Sequence, residues 1–190
     1  MAVSSTGSVT EIQSASQNGS QNIPVPADAT CCVIAASLYK FSTNWISSNP
    51  FSLNSVNLTT VQKTDEQNPN GQMWIGYIVN PSTGSQTLAW DWGTILDEGA
   101  NICIRFYNGV DTTSPIADSG QQLTDGNDLT GLSSGTGDMM VGGLYSYDSS
   151  PSVTDNSQTE LALMGRFNNC YGGFAEKLEG TGFYFSGGNY

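Results

Sequence analysis

Apolar and polar positions along the chain group into short runs of β-branched and aromatic residues, each closed by a cluster of Gly, Pro, Asn, Asp or Ser. That is the pattern of strands and turns. No window sustains the i, i+3, i+4 apolar spacing of an amphipathic helix, and Gly or Pro interrupts most stretches long enough to hold one. Residues 1–22 are polar, with one alternating piece at Val9-Thr10-Glu11-Ile12, and read as a flexible arm or an edge strand. Ile23-Pro24-Val25-Pro26 carries two residues without a backbone N–H, so it predicts an edge strand or an extended entry and excludes a central strand. Cys31 to Tyr39 is almost continuously apolar, the mark of a strand covered on both faces, with a short buried helix as the competing form. Leu53 to Val61 alternates loosely. Met73-Trp74-Ile75-Gly76-Tyr77-Ile78-Val79 predicts a strand closed by the Asn80-Pro81 turn.

The second half continues in the same period. Leu88, Trp90 and Trp92 share one face, with Asp91 on the other. Ala100, Ile102, Ile104 and Phe106 oppose Asn101, Cys103 and Arg105. Met139, Val141 and Tyr145 align, as do Leu161, Leu163 and Phe167 against Glu160 and Arg166, and Phe183-Tyr184-Phe185 supplies a last short strand. From Asp111 to Gly137 the chain predicts loop, with at most one strand near Gln121 to Thr124. About eight to ten strands are too many for one open sheet to cover its own faces, so they should pack face to face. The expected fold is all-β, a two-sheet antiparallel β-sandwich of jelly-roll type. Residues 1–22 are the polar arm or edge strand and residues 23–190 the sandwich domain, a length that suits one core.

Composition narrows the function classes. Five Lys and Arg stand against 17 Asp and Glu, a net charge of −12. Such a surface repels a phosphate backbone and an anionic membrane alike, so neither nucleic acid nor membrane is an expected partner. The chain has no His at all, which removes Ser-His-Asp and Cys-His nucleophilic catalysis, imidazole bases and His-ligated metals. Paired carboxylates and the chemistry of three Lys are what remain to an enzyme. The four cysteines, Cys31, Cys32, Cys103 and Cys170, form no C-x-x-C pair and predict small buried apolar side chains, with a disulfide to Cys103 left open. Cys31 and Cys32 in one strand would point to opposite faces. The first residues have neither a cationic nor an apolar signal region, and no apolar stretch approaches the ~20 residues that span a bilayer. The triplets Asn18-Gly19-Ser20 and Asn57-Leu58-Thr59 match the glycosylation acceptor, and are discounted without a secretory route.

Three segments carry a resemblance. Ile23-Pro24-Val25-Pro26-Ala27-Asp28-Ala29-Thr30 leads into an apolar strand. Trp74-x-x-Tyr77-x-x-Asn80-Pro81-x-Thr83-Gly84-x-Gln86-Thr87 precedes a Trp-containing strand, and Tyr107-Asn108-Gly109-Val110-Asp111-Thr112-Thr113-x-Pro115-Ile116 follows. In this order they resemble a β-sandwich module of phage virion accessory proteins and of surface proteins of environmental bacteria. The resemblance implies an accessory role on a particle or cell surface, and it brings no catalytic residue with it. A composition that looks extracellular without an export signal fits a virion protein, assembled in the host cytoplasm and released by lysis. The expected function is therefore non-enzymatic, a structural virion accessory protein that decorates or cements a phage capsid. Its partners would be the major capsid protein or other virion proteins and further copies of itself. The alternative is a glycan-binding adhesin or tail-associated carbohydrate-binding module.

Few residues offer chemistry. Trp90-Asp91-Trp92 would stack on sugar rings and bind hydroxyls if the indoles faced solvent, and would be sandwich core if they did not. Asp97, Glu98, Glu160, Glu176 and Glu179 are the carboxylates from which a glycosidase pair would be drawn, with solvated surface acids as the default. Asp125-Gly126-Asn127-Asp128 offers oxygen ligands on a Gly-containing loop, as Ca²⁺ sites do, yet Asp125, Asn127 and Asp128 lack the rest of the EF-hand pattern. A solvated turn is the default there, no cofactor is expected, and Ca²⁺ is the one ion the loop would suit. The polar arm could add a strand to a neighbouring subunit or stay disordered.

Overall fold

The period-2 pattern is realised throughout: every regular element of the described residues is a strand, and every strand pairing is antiparallel. The structure is a computed structural model. It describes residues 2–39, 49–63, 71–93, 96, 99–120, 128–130, 132, 134–146, 152–153, 157–167, 170–180 and 182–186. No helix among them is long and apolar enough to cross a membrane.

The first nine strands are β1 (Ser4–Ser14), β2 (Asn18–Val25), β3 (Cys31–Tyr39), β4 (Phe51–Leu53), β5 (Val56–Asn57), β6 (Thr59–Lys63), β7 (Gly71–Val79), β8 (Gly84–Asp91) and β9 (Gly99–Asn108). They form a five-stranded sheet in the order β1-β9-β3-β7-β6 and a four-stranded sheet in the order β2-β8-β4-β5. The pairings are nested. β4 pairs β5, β3 pairs β7, β2 pairs β8 and β1 pairs β9, and successive pairs fall in alternate sheets. The chain is thus one long two-stranded ribbon, closed at the Asn54-Ser55 turn and wound so that its two sheets face each other. β6 adds an outer strand beside β7.

Between these sheets lies the main core. Cys32, Ile34, Ala36 and Leu38 of β3 and Ile102, Ile104 and Phe106 of β9 meet Ile23, Leu88, Trp90 and Phe51 from the facing sheet. The polar N-terminal stretch is strand: Ser4–Ser14 is the outer strand of the larger sheet, and Asn18 opens β2. Ile12 enters the main core, while Gln13 donates to Asn101 at 2.9 Å. Pro24 sits on β2, an outer strand of the smaller sheet, where a missing N–H costs no central ladder bond. Gly19 lets this strand cross the Trp90 ring, for a Cβ there would lie 2.4 Å from the indole.

The rest of the chain changes the layer count. β10 (Asp128–Thr130), β11 (Met139–Ser146), β12 (Ser152–Val153), β13 (Thr159–Phe167), β14 (Cys170–Leu178) and β15 (Gly182–Ser186) form two three-stranded sheets, β11-β14-β13 and β10-β15-β12. The first of these packs on the outer face of the five-stranded sheet, where Ala35, Tyr39, Met73 and Cys103 meet Tyr145, Ala162 and Phe174. Two layers therefore account for residues up to Asn108, and a third seals the far side. That third layer is why Cys31–Tyr39 is apolar on both faces: eight of its nine residues are buried and the ninth is half-buried. Tyr39 and Tyr145 stack across this second interface with ring centroids 6.3 Å apart. Gly71 makes room for Tyr145, since a Cβ there would fall 1.8 Å from its ring.

Two local expectations shift. Leu161 and Ala162 both reach the second core because the β13 register slips between Glu160 and Ala162, so the alternation expected from Leu161 to Phe167 breaks at a bulge. The strand expected near Gln121 to Thr124 falls outside the described residues, and the strand of that region is β10.

Candidate functional site

Trp90 and Trp92 leave the main-core face of β8 and the residue after it, 8 % and 0 % exposed. Trp92 meets Phe51 edge-on at 5.1 Å, and Phe51 in turn meets Trp74 at 4.9 Å. Neither indole presents a face to a ligand, which removes the stacking platform that the glycan reading placed on this strand. Asp91 points to solvent and accepts from the Gly93 N–H at 2.8 Å, closing a turn. Among the described residues, the buried indole N–H groups of Trp90 and Trp92 meet no acceptor, a cost of putting two large rings into the main core.

The carboxylates are scattered. Glu160 is exposed on β13, Glu179 is half-buried at positive φ after β14, and Asp97 and Glu98 lie outside the described residues. Asp125 and Asn127 also lie outside them, and Asp128 opens β10 with its side chain undescribed.

Glu176 is the exception. It is 5 % exposed on β14 and faces β9. Its Oε1 accepts from Arg105 Nη2 at 3.2 Å, and its Oε2 accepts from the Tyr107 hydroxyl at 2.7 Å and from Arg105 Nε at 3.4 Å. Arg105 Nη1 donates to the Gly7 carbonyl at 2.7 Å. One guanidinium thus ties β1, β9 and β14 together. With both oxygens of Glu176 engaged, the cluster is a staple between layers. Burial, then the Glu176 charge, pushes the Tyr107 hydroxyl well above its ordinary value, so it stays a neutral donor. Arg105 appears in the sequence only as a polar position opposite the main-core face of its strand. The signal that it needs a buried partner is its place in a strand whose other face is continuously apolar.

Cys31, Cys32 and Cys103 are free and buried. Cys32 belongs to the main core and Cys103 to the second core, so no disulfide joins them. Cys31 and Cys103 share a face, but Cys31 pairs with Tyr107 while Cys103 pairs with Ala35, four residues along β3. Burial raises the thiols of Cys31 and Cys103 to about 12, and holds that of Cys32 well above its ordinary value. Alkylation of the native protein at neutral pH is expected to leave all three unmodified, and denaturant to expose all three, as read by peptide mapping. A raised pKa means the folded state holds its proton where the unfolded chain loses it. The contribution is therefore complete below about pH 9 and is lost as pH climbs toward 12. Stability should fall over that alkaline range, and less steeply in a Cys31→Ala/Cys103→Ala variant.

Several polar turns gather at one pole. Thr30 accepts from Asn80 N–H and donates its own N–H to Tyr107, both at 2.8 Å, joining three strand ends. Asp28 accepts from Thr6 and Asn108, and these bonds hold its carboxyl below the usual range. The Gly137 carbonyl accepts from Val3 N–H here, and Leu178 pairs with Met139 beside it. Val56, Ile116 and Leu178, 42–56 % exposed, are the large apolar side chains that the described residues leave in solvent. A cleft of about 410 Å³, lined in part by Val56, opens between the β4–β5 turn, the end of β7 and the loop after β9. Leu53, Ile78 and Pro81 help line it beneath a rim that includes Asn54, Asn57, Asn80 and Ser82. The sequence marks this place only as turn signals, Asn80-Pro81 among them; nothing in the spacing says that distant turns converge.

No protein-family model matches the chain, and no curated protein or solved structure does either.

Proposed function

We propose that the chain is a non-enzymatic structural protein of a virion, most concretely a capsid decoration or cement protein built on a jelly roll. The observation that carries this reading is the nested pairing, β4 with β5 inside β3 with β7 inside β2 with β8 inside β1 with β9. A two-stranded ribbon wound into facing sheets in this order is the topology of jelly rolls, which recur in viral capsid and lectin domains. Fold alone does not specify a role, so the surface supplies the second support. An acidic coat, net −12, keeps particles mutually repelling. Among the described residues, Val56, Ile116 and Leu178 leave apolar surface exposed, which suits a contact with the major capsid protein or with a further copy. Seating that surface between capsid subunits would stabilise the shell by mass action.

Co-sedimentation with the capsids of the source phage tests this. The protein should pellet with particles up to a fixed stoichiometry, and a Val56→Asp/Leu178→Asp variant, folded by circular dichroism, should bind several-fold more weakly. Wild-type protein left wholly in the supernatant would end the proposal.

A further inference from the structure

We infer that the polar cleft between the β4–β5 turn and the end of β7 is a binding site for a neutral saccharide. Its volume, about 410 Å³, falls in the range of small-ligand sites. Its chemistry narrows the ligand. In a chain with 17 acidic residues, the described lining of this cleft carries no charged side chain. The nearest carboxylate in sequence, Asp111, is turned to the N–H groups of Thr113 and Ser114. What the rim offers is amides and hydroxyls, which both donate and accept as sugar hydroxyls do. Among the described residues, none makes a hydrogen bond to the side chains of Asn54, Asn57, Asn80 or Ser82, so these groups are free to serve a ligand. Leu53, Ile78 and Pro81 supply the apolar surface against which the C–H face of a sugar ring packs.

Backbone conformation marks the same place. Four non-glycine residues of the described chain have positive φ, and two of them, Asn54 (49°) and Asn80 (49°), line this cleft. Each is held by its surroundings: Asn54 N–H donates to Thr87 and Asn80 N–H to Thr30, both at 2.8 Å. The two asparagines thus stand at the β4–β5 turn and at the end of β7, each with its backbone N–H engaged. This inference does not rest on the virion reading, and the two tests succeed or fail separately.

Calorimetric titration of the intact chain with maltohexaose, cellohexaose and N-acetylchitohexaose tests it, with hexagalacturonate and an extended neutral peptide as controls. At least one neutral oligosaccharide should bind with a millimolar or tighter Kd, and hexagalacturonate should bind more weakly. Asn54→Gly and Asn80→Gly remove the amides while keeping a residue that accepts positive φ, so they should retain the wild-type Tm. Each should weaken binding roughly tenfold, as should Asn57→Ala on the exposed β5 strand. Absence of binding by all three neutral sugars overturns the inference. So does a preference for the acidic sugar or the peptide, or affinity unchanged in the Asn54→Gly/Asn80→Gly double variant.

Discussion

Trp92→Ala is expected to cost about 3–5 kcal/mol, the range for truncating a buried aromatic, and to lower Tm by roughly 6–20 °C. Trp92 is fully buried and stands edge-on to Phe51 at 5.1 Å, and Phe51 also meets Trp74 at 4.9 Å. Removing the indole leaves a hole between two sheets whose strands are held by ladders on either side, so the walls cannot close on it. Trp92→Phe should cost only roughly 1–2 kcal/mol, because it keeps most of the aromatic contact and deletes an indole N–H that has no acceptor. Denaturant unfolding followed by far-UV circular dichroism reads both. A native-like Tm in Trp92→Ala would contradict the packing and return the indole to the list of ligand contacts.

Glu176→Leu should be comparably severe, about 3–5 kcal/mol, since it leaves the Arg105 guanidinium and the Tyr107 hydroxyl without their shared acceptor. The side chains of Arg105 and Glu176 are only 14 % and 7 % exposed, so water does little to replace the lost partner. The informative variant is the pair Arg105→Met/Glu176→Leu. Replacing both charges by apolar groups of similar size removes the uncompensated ion, and much of the loss should return. Recovery in the double variant identifies a staple whose penalty is the orphaned charge. Equal loss in the single and double variants would mean that the third layer depends on the salt bridge itself.

Period 2 was plainly written in the chain, and it made the strand class readable. β3, β7, β8 and β9 lie where the alternating and continuous apolar runs place them, and the two prolines of Ile23-Pro24-Val25-Pro26 mark an outer strand. Opposite faces for Cys31 and Cys32 follow from the same geometry, and the main core takes Cys32. The polar start of the chain was ambiguous because β1 holds its place mainly by backbone ladder bonds to β9, to which side-chain patterning is nearly blind. The number of layers was less legible. A run apolar on both faces says that something covers each side of the strand, without saying what. Here the cover on the second side is the sheet built from Met139–Ser146, Thr159–Phe167 and Cys170–Leu178, which lies far along the chain.

The candidate sites divide along the same line. Two tryptophans on one strand face, with an acid opposite, are written identically for a sugar platform and for a sandwich core. Only the facing five-stranded sheet, with Ile34, Trp74 and Ile102, decides that they are core. The Arg105–Glu176–Tyr107 cluster joins residues 69 and 71 positions apart, and the rim of the polar cleft draws on turns separated by more than 20 residues. By itself the sequence determined secondary-structure type, which residues prefer burial, and the acidic, His-free surface, because these depend on each residue and its near neighbours. Which strand lies beside which, what faces an indole or a guanidinium, and where turns meet depend on chain winding. Pairings between distant strands settle that, and local pattern carries no record of them.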